Sequence, residues 1–141
     1  MKDNLDYRFH HIGFVVHDVG ESISKWEASG YRLEISPVTD PLLNVVCCTL
    51  VKSGELRIEL VSPSQDSKNH PLASRLRRGG GLDHVCYVVG ALELAIERET
   101  TQGGLMVMNP TFAATFNTRV AFVLRLGGIL VELMEGVSDA E

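Results

Sequence analysis

Hydrophobic spacing along the chain alternates between two periods, and the alternation runs twice. "HHIGFVV" (10–16) is rich in β-branched and aromatic residues and reads as a strand. "VGESISKWEASG" (19–30) places Val19, Ile23 and Trp26 at helical spacing, with Gly30 as a C-terminal cap. Three strand-like stretches follow: "YRLEIS" (31–36), "NVVCCTLV" (44–51) and "LRIELVS" (56–62). The second round runs "LDHVCYVV" (82–89), the helix "ALELAIERETTQG" (91–103), then "LMVMNP" (105–110), "RVAFVLRL" (119–126) and "GILVELME" (128–135). "GELR" (54–57) and "LGGI" (126–129) read as hairpin turns, where glycine accepts positive φ.

The repetition has a fixed step. His11 and His84 stand 73 residues apart, and the same step carries Val19 to Leu92, Gly30 to Gly103 and Glu59 to Glu132. Two copies this short complete one another and do not build an extended array. The predicted fold is α+β: two βαβββ modules, residues 8–62 and 81–135, in an eight-stranded cupped mixed sheet. A linker over 63–80 separates them. Its "HPLASRLRR" suits a short helix with Pro71 in the first turn, followed by glycines 79–81.

Composition narrows the class. A hydrophobic fraction of 45% in 141 residues supports one compact core. No apolar run approaches the ~18 residues of a membrane span, and "MKDNLDYRFHH" shows no signal-peptide core, so no membrane partner is expected. Three cysteines, Cys47, Cys48 and Cys86, two of them adjacent, argue against a disulfide framework and for a reducing, cytoplasmic setting. The net charge of −5 argues against nucleic acid. Arg75, Arg77 and Arg78 form a local basic cluster that reads first as a solvated helix face and second as a contact for a small anionic ligand.

The candidate chemistry lies in the four repeated polar residues. Side chains alternate faces along a strand. Glu59 sits between Ile58 and Leu60, and Glu132 between Val131 and Leu133, so packing those aliphatics on one face sends both carboxylates to the other. His11 and His84 alternate likewise among apolar neighbours. An ionised carboxylate among apolar groups is costly unless paired or metal-bound. Two neutral imidazoles and two carboxylates balance a divalent cation, and mixed N/O ligation suits Zn, Ni, Co, Fe or Mn. The predicted metal ligands are therefore His11, Glu59, His84 and Glu132. His10 and Asp83 point the other way and are read as non-ligands, and His17 and His70 as solvated. Arg119 in "FNTRVAF" is a candidate substrate-binding residue for a carboxylate or phosphate.

With those segments in view, the chain resembles the vicinal oxygen chelate superfamily, which includes glyoxalase, bleomycin resistance and dioxygenase proteins. "FHHIGFVVHDV", "IELVSP", "GGGLDHVCYVV" and "ILVELME" look like its four metal-bearing segments, over residues 8–135. The likeness is closest to the methylmalonyl-CoA epimerases and next to glyoxalase I. It implies a glyoxalase-like fold and a divalent-metal-dependent epimerase or isomerase that moves a proton beside a carbonyl. It also implies Glu132 as ligand and base, and Glu59 as its partner in both roles. The expected partners are a small-molecule substrate, with thioesters among the candidates, and a second copy of the chain in a homodimer. The alternatives are a glyoxalase I-like lyase (lactoylglutathione lyase), a metal-dependent dioxygenase and a non-catalytic small-molecule binder. The chain departs from the epimerases in "PVTDPLLNVVCC": where they carry an extra acid/base glutamate, Asp40 is the only acid.

Overall fold

A computed structural model describes residues 6–65 and 68–136, so Asp66 and Ser67 of the expected linker lie outside the described residues. The described elements are β1 (Tyr7–Val15), α1 (Val19–Ala28), β2 (Arg32–Asp40), β3 (Val45–Val51), β4 (Ile58–Pro63), α2 (Ala73–Arg77), β5 (Gly81–Val89), α3 (Leu92–Thr101), β6 (Leu105–Ala113), β7 (Thr118–Leu124) and β8 (Leu130–Glu135). The βαβββ order appears twice. The bounds of α1, β2 and β3 fall on those of α3, β6 and β7 at the step of 73.

The chain divides into two compact units. One is His11–Asp83; the other joins the residues up to His10 with those from His84 onward.

In the first unit the strand order is β2-β3-β4-β1, with β1 parallel to β4 and the other neighbours antiparallel. Helix α1 starts at Asp18, whose carboxylate accepts the Glu21 amide at 3.0 Å, as an N-cap should. Its apolar stripe lies on Cys48, Leu50, Ile58 and Leu60, with Val19 buried and Ile23 and Trp26 packed around them. A smaller cluster of Val45, Cys47 and Val61 is closed by Leu43 and by Leu72. The glycine run has a local cause at Gly80: its φ is +73°, and a Cβ there would collide with the Val15 carbonyl.

In the second unit the order is β5-β8-β7-β6, with β5 parallel to β8. Helix α3 buries Leu92 and Ala95 against Val89, Ala121, Val123, Val131 and Leu133. Its N-cap is Ala91, which has extended backbone like Asp18 but no capping side chain.

The outermost strands β2 and β6 run further than their composition suggests, through Pro37 to Asp40 and through Pro110 to Ala113. Proline lacks a ladder donor and is tolerated on an outer strand or at a bulge. Both strands supply both conditions: register shifts fall between Leu33, Ile35 and Val38 in β2, and between Met106, Met108 and Thr111 in β6. Each strand then turns through an asparagine with φ of 56°, Asn44 or Asn117. Asparagine tolerates this left-handed region better than other L-residues.

Candidate metal centre

Each unit buries one histidine beside one glutamate. In the first, parallel pairing of β1 with β4 sets Gly13 opposite Glu59. Ile58 and Leu60 are taken into the core under α1, so Glu59 faces the opposite side of the sheet. His11 Nε2 lies 3.1 Å from Glu59 Oε1, with both residues buried. In the second unit Val131 and Leu133 are taken into the core under α3, which turns Glu132 to the other face. His84 Nε2 lies 3.2 Å from Glu132 Oε1, again buried. All four residues are at most 5% exposed, which the alternation of apolar neighbours anticipated.

The neighbours of the two pairs differ. Thr49 stands opposite Glu59 across the β3–β4 ladder. Its hydroxyl accepts from the Ile35 amide at 3.2 Å and donates to Glu34 at 3.0 Å. The Arg57 guanidinium holds the same Glu34 carboxylate through Nε at 2.9 Å and Nη2 at 3.3 Å. Opposite Glu132 stands Phe122, whose ring meets His84 edge-on with centroids 5.3 Å apart.

His10 packs edge-on against Phe116 at 5.4 Å, and Asp83 lies 3.8 Å from Arg75 Nε. His17 is exposed. His70, read as solvated, is half-exposed and also bonded to the chain. Its Nε2 is 2.8 Å from the Asn44 carbonyl, and its Nδ1 accepts from the Leu72 amide at 3.0 Å. Those two bonds define a neutral ring with the proton on Nε2, which ties the linker to the β2–β3 turn.

Asp40 is buried, and its Oδ1 accepts from the amides of Leu42 at 2.9 Å and Leu43 at 3.0 Å. It organises the turn after β2. Arg119, the candidate substrate-binding residue, is held by two carboxylates. Nε and Nη2 bond Glu135 at 2.9 and 2.8 Å, and Nη1 and Nη2 bond Glu93 at 2.7 and 3.0 Å. Those hydrogen bonds push the Arg119 pKa further up and pull those of Glu93 and Glu135 down. Such mutual satisfaction fixes the orientation of the guanidinium. In the basic cluster, Arg75 bonds the Leu82 carbonyl and Arg78 bonds the Ser74 hydroxyl at 3.0 Å, while Arg77 is exposed.

One network escaped the sequence reading. Glu99, 4% exposed, receives Arg125 through Nε at 3.0 Å and Nη2 at 2.8 Å, and the Tyr7 hydroxyl at 2.8 Å. The Arg125 bonds, with help from Tyr7, hold the Glu99 pKa below the usual carboxylate range, and Arg125 in turn is raised. Burial, with the Glu99 bond, raises the Tyr7 hydroxyl. The signal was available: Leu92, Ala95 and Glu99 recur on one helix face, so a carboxylate stood in an apolar stripe. All three cysteines are buried thiols outside any disulfide. Burial, reinforced by the nearby Glu59 charge, pushes Cys48 up to about 11. Among the described residues no helix is long and apolar enough to cross a membrane.

A family model described as glyoxalase/bleomycin resistance protein/dioxygenase superfamily matches residues 10–122. No curated protein matches the sequence. Among solved structures, a hypothetical protein from Bacillus halodurans C-125 is similar at a TM-score of 0.80 and 27% identity, covering 96% of this chain and 99% of its own. The methylmalonyl-CoA epimerase from Mycobacterium tuberculosis is similar at 0.79 and 22%, covering 97% and 92%. A Streptomyces coelicolor methylmalonyl-CoA epimerase in complex with 2-nitronate-propionyl-CoA is similar at 0.77 and 16%, covering 93% and 98%. The family match spans most of the sequence and the structural matches nearly all of it: the chain has the eight-stranded glyoxalase-like α+β fold and belongs to the glyoxalase/bleomycin resistance protein/dioxygenase superfamily.

Proposed function

We infer that this chain is a divalent-metal-dependent isomerase that moves a proton beside a carbonyl, in the manner of an epimerase. His11, Glu59, His84 and Glu132 hold the cation. One observation carries the reading: each unit buries a histidine against a glutamate, at 3.1 and 3.2 Å, at positions related by the repeat step. A structural role alone does not require a histidine and a carboxylate inside each half, because a carboxylate among apolar groups is costly unless it is paired or metal-bound. The donor set fits Zn, Ni, Co, Fe or Mn, since two carboxylates offset the charge and two imidazoles supply borderline nitrogen donors. The epimerase names of two structural neighbours support the reaction class, and thioesters are the first substrates to try.

The bound cation would supply Lewis acidity, which lowers the barrier to loss of a proton from the carbon next to a carbonyl. The chain's own groups do the rest. Glu132 Oε1 takes the proton as general base, and a proton delivered to the other face of the carbon gives the epimer. Glu59 supplies the second carboxylate. Phe122 and the aliphatic residues about Glu132 keep water away from it. A homodimer is the proposed assembly.

A glyoxalase I-like lyase is the second reading, and Asp40 favours it. That carboxylate caps a turn, so the base falls to a glutamate that also holds the cation.

The test begins with the metal content of protein purified without chelator or affinity metal. Substoichiometric metal in the wild type, or full occupancy in a His11→Ala, His84→Ala double variant, overturns the ligand assignment. Metal-loaded protein is then incubated with acyl-CoA thioesters and α-keto hemithioacetals in D₂O. Metal-dependent deuterium incorporation beside the thioester carbonyl supports the epimerase reading, and incorporation only with hemithioacetals supports the lyase.

A further inference from the structure

The two units carry opposite chemistry on equivalent sheet faces. In the first, the face bearing Glu59 presents Arg32, Glu34, Thr49 and Arg57. The repeat step carries these to Leu105, Val107, Phe122 and Leu130 on the face bearing Glu132. Shared placement in the second unit follows from register. Val123 and Val131 are buried under α3, so Phe122, Leu124, Leu130 and Glu132 turn to the opposite face. Leu105 pairs with Leu124, and side chains directly opposed across a ladder share a face. Val107 falls within the register shift of β6, as Glu34 does within that of β2, where the Glu34 side chain reaches Thr49.

Leu105 is 65% exposed and Val107 is 58% exposed. On the outermost strand of a sheet, charged residues normally guard against edge pairing. Arg32 and Glu34 provide that guard on β2, and β6 has lost it at the same positions. Apolar surface left open beside a functional group marks a ligand contact. The occupant is identified by continuity. The surface runs through Phe122, whose ring touches His84, to Glu132, so what lies on it is the remainder of a molecule held at His84 and Glu132.

We propose that Leu105, Val107, Phe122, Leu124 and Leu130 form an apolar specificity wall in the second unit. It takes a bulky aliphatic or aromatic group attached to the reacting carbonyl. The proposal rests on the metal-site reading above and deepens it: the favoured substrates are carbonyl compounds with an apolar arm, not short dianionic ones.

Hydroxamates separate the two ideas, because they offer paired oxygens to a cation and carry any chosen arm. Nickel-loaded protein is titrated calorimetrically with acetohydroxamate and benzohydroxamate, and metal occupancy is measured alongside. The wild type should bind the phenyl compound at least about tenfold more tightly, as expected for burial of a ring. A Leu105→Arg, Val107→Glu double variant, which copies the first unit at two exposed positions, should bring the ratio close to that of free nickel with unchanged occupancy. Leu94→Arg, at an exposed leucine of α3, should leave the ratio alone. A wild-type ratio no greater than that of free nickel, or a ratio untouched by the double variant, overturns the wall while the metal site stands. If the double variant only converts a dimer into a monomer, the surface belongs to a second copy and the proposal falls. If the protein takes up no nickel, the metal reading fails separately. The wall is then judged by methyl shifts of Leu105 and Val107 under millimolar benzohydroxamate: present with this arm and not with acetohydroxamate, they sustain it, and absent, they refute it.

Discussion

The units share a skeleton down to its irregularities and differ in what they hang on it. Helix bounds, the proline-bearing outer strands, their register shifts and the left-handed asparagines all recur at one step. The contents do not. Trp26 stacks with Phe14 and Tyr31 at centroid distances of 5.5 and 5.1 Å. Its counterpart Glu99 is a buried carboxylate held by Arg125 and Tyr7. A polar network beside Glu59 becomes a phenyl ring beside Glu132. The lesson is that backbone geometry in a duplicated fold is set by few positions: glycines, asparagines, and the aliphatics on the helix-covered face. The remaining positions are free to diverge, and function can be placed asymmetrically on a symmetric frame.

The strongest way to break the comparison is at the carboxylates. If Glu132 is the base, Glu132→Gln should slow deuterium exchange by roughly 10²–10⁴-fold at saturating metal. Glu59→Gln should chiefly raise the metal concentration needed, and Glu55→Gln in the turn should do neither. Equal rate losses at Glu59 and Glu132 would show the halves to be catalytically equivalent.

The cores should be matched. Leu60 and Leu133 are equivalent, and both are fully buried. Leu60→Ala and Leu133→Ala should each cost about 2–5 kcal/mol in urea denaturation. A cost at one site less than half that at the other would show that the two helix-covered layers are not packed alike.

Glu99→Gln tests the network that only the second unit has. Removing the charge should cost about 2 kcal/mol at neutral pH, because hydrogen bonds to charged groups are worth roughly that much. The pH dependence follows from the lowered Glu99 pKa. A depressed carboxylate stabilises above its unfolded value, about 4.3, and that stability is lost as pH falls through the folded value. The gap between wild type and variant should therefore be constant above about pH 5 and shrink below pH 4. A gap independent of pH would mean that packing, not charge, accounts for it.

The smallest effect concerns the helix starts. Asp18→Ala should cost about 1 kcal/mol. Ala91 has φ −135° and ψ 105°, close to the −140° and 114° of Asp18. Ala91→Asp should therefore raise stability by up to about 1 kcal/mol, measured as the melting temperature, which makes the second unit more like the first.

Much of this organisation was legible because it is written in spacing. The step of 73 announces the repeat, and alternation around Glu59 and Glu132 places both carboxylates on the face opposite the aliphatics. Burial of His11 and His84 follows from the same alternation. What stayed hidden depends on contacts between distant segments. Glu99 finds Tyr7 across 92 residues, and no local pattern couples them. The bonds of Arg119 were hidden because its partners, Glu93 and Glu135, lie on a helix and a strand well separated in sequence. The bond of His70 was hidden because its carbonyl partner belongs to a turn 26 residues earlier. The length of β2 and β6 was missed because proline normally ends a strand, and a bulge is not visible in composition.

The place of Tyr7 has a consequence in time. Synthesis delivers the first unit in one uninterrupted run, His11–Asp83, which has its whole contact set as soon as Asp83 leaves the ribosome. The second unit is assembled from both ends of that run. Its opening piece carries Tyr7, which stacks on Tyr87 and bonds Glu99. That piece is made before the intervening unit and waits while the whole of it is synthesised. Closing so long a loop costs entropy before any contact returns it. The first unit can therefore fold before the two pieces of the second meet, and of these two units the one that carries Glu132 is completed later.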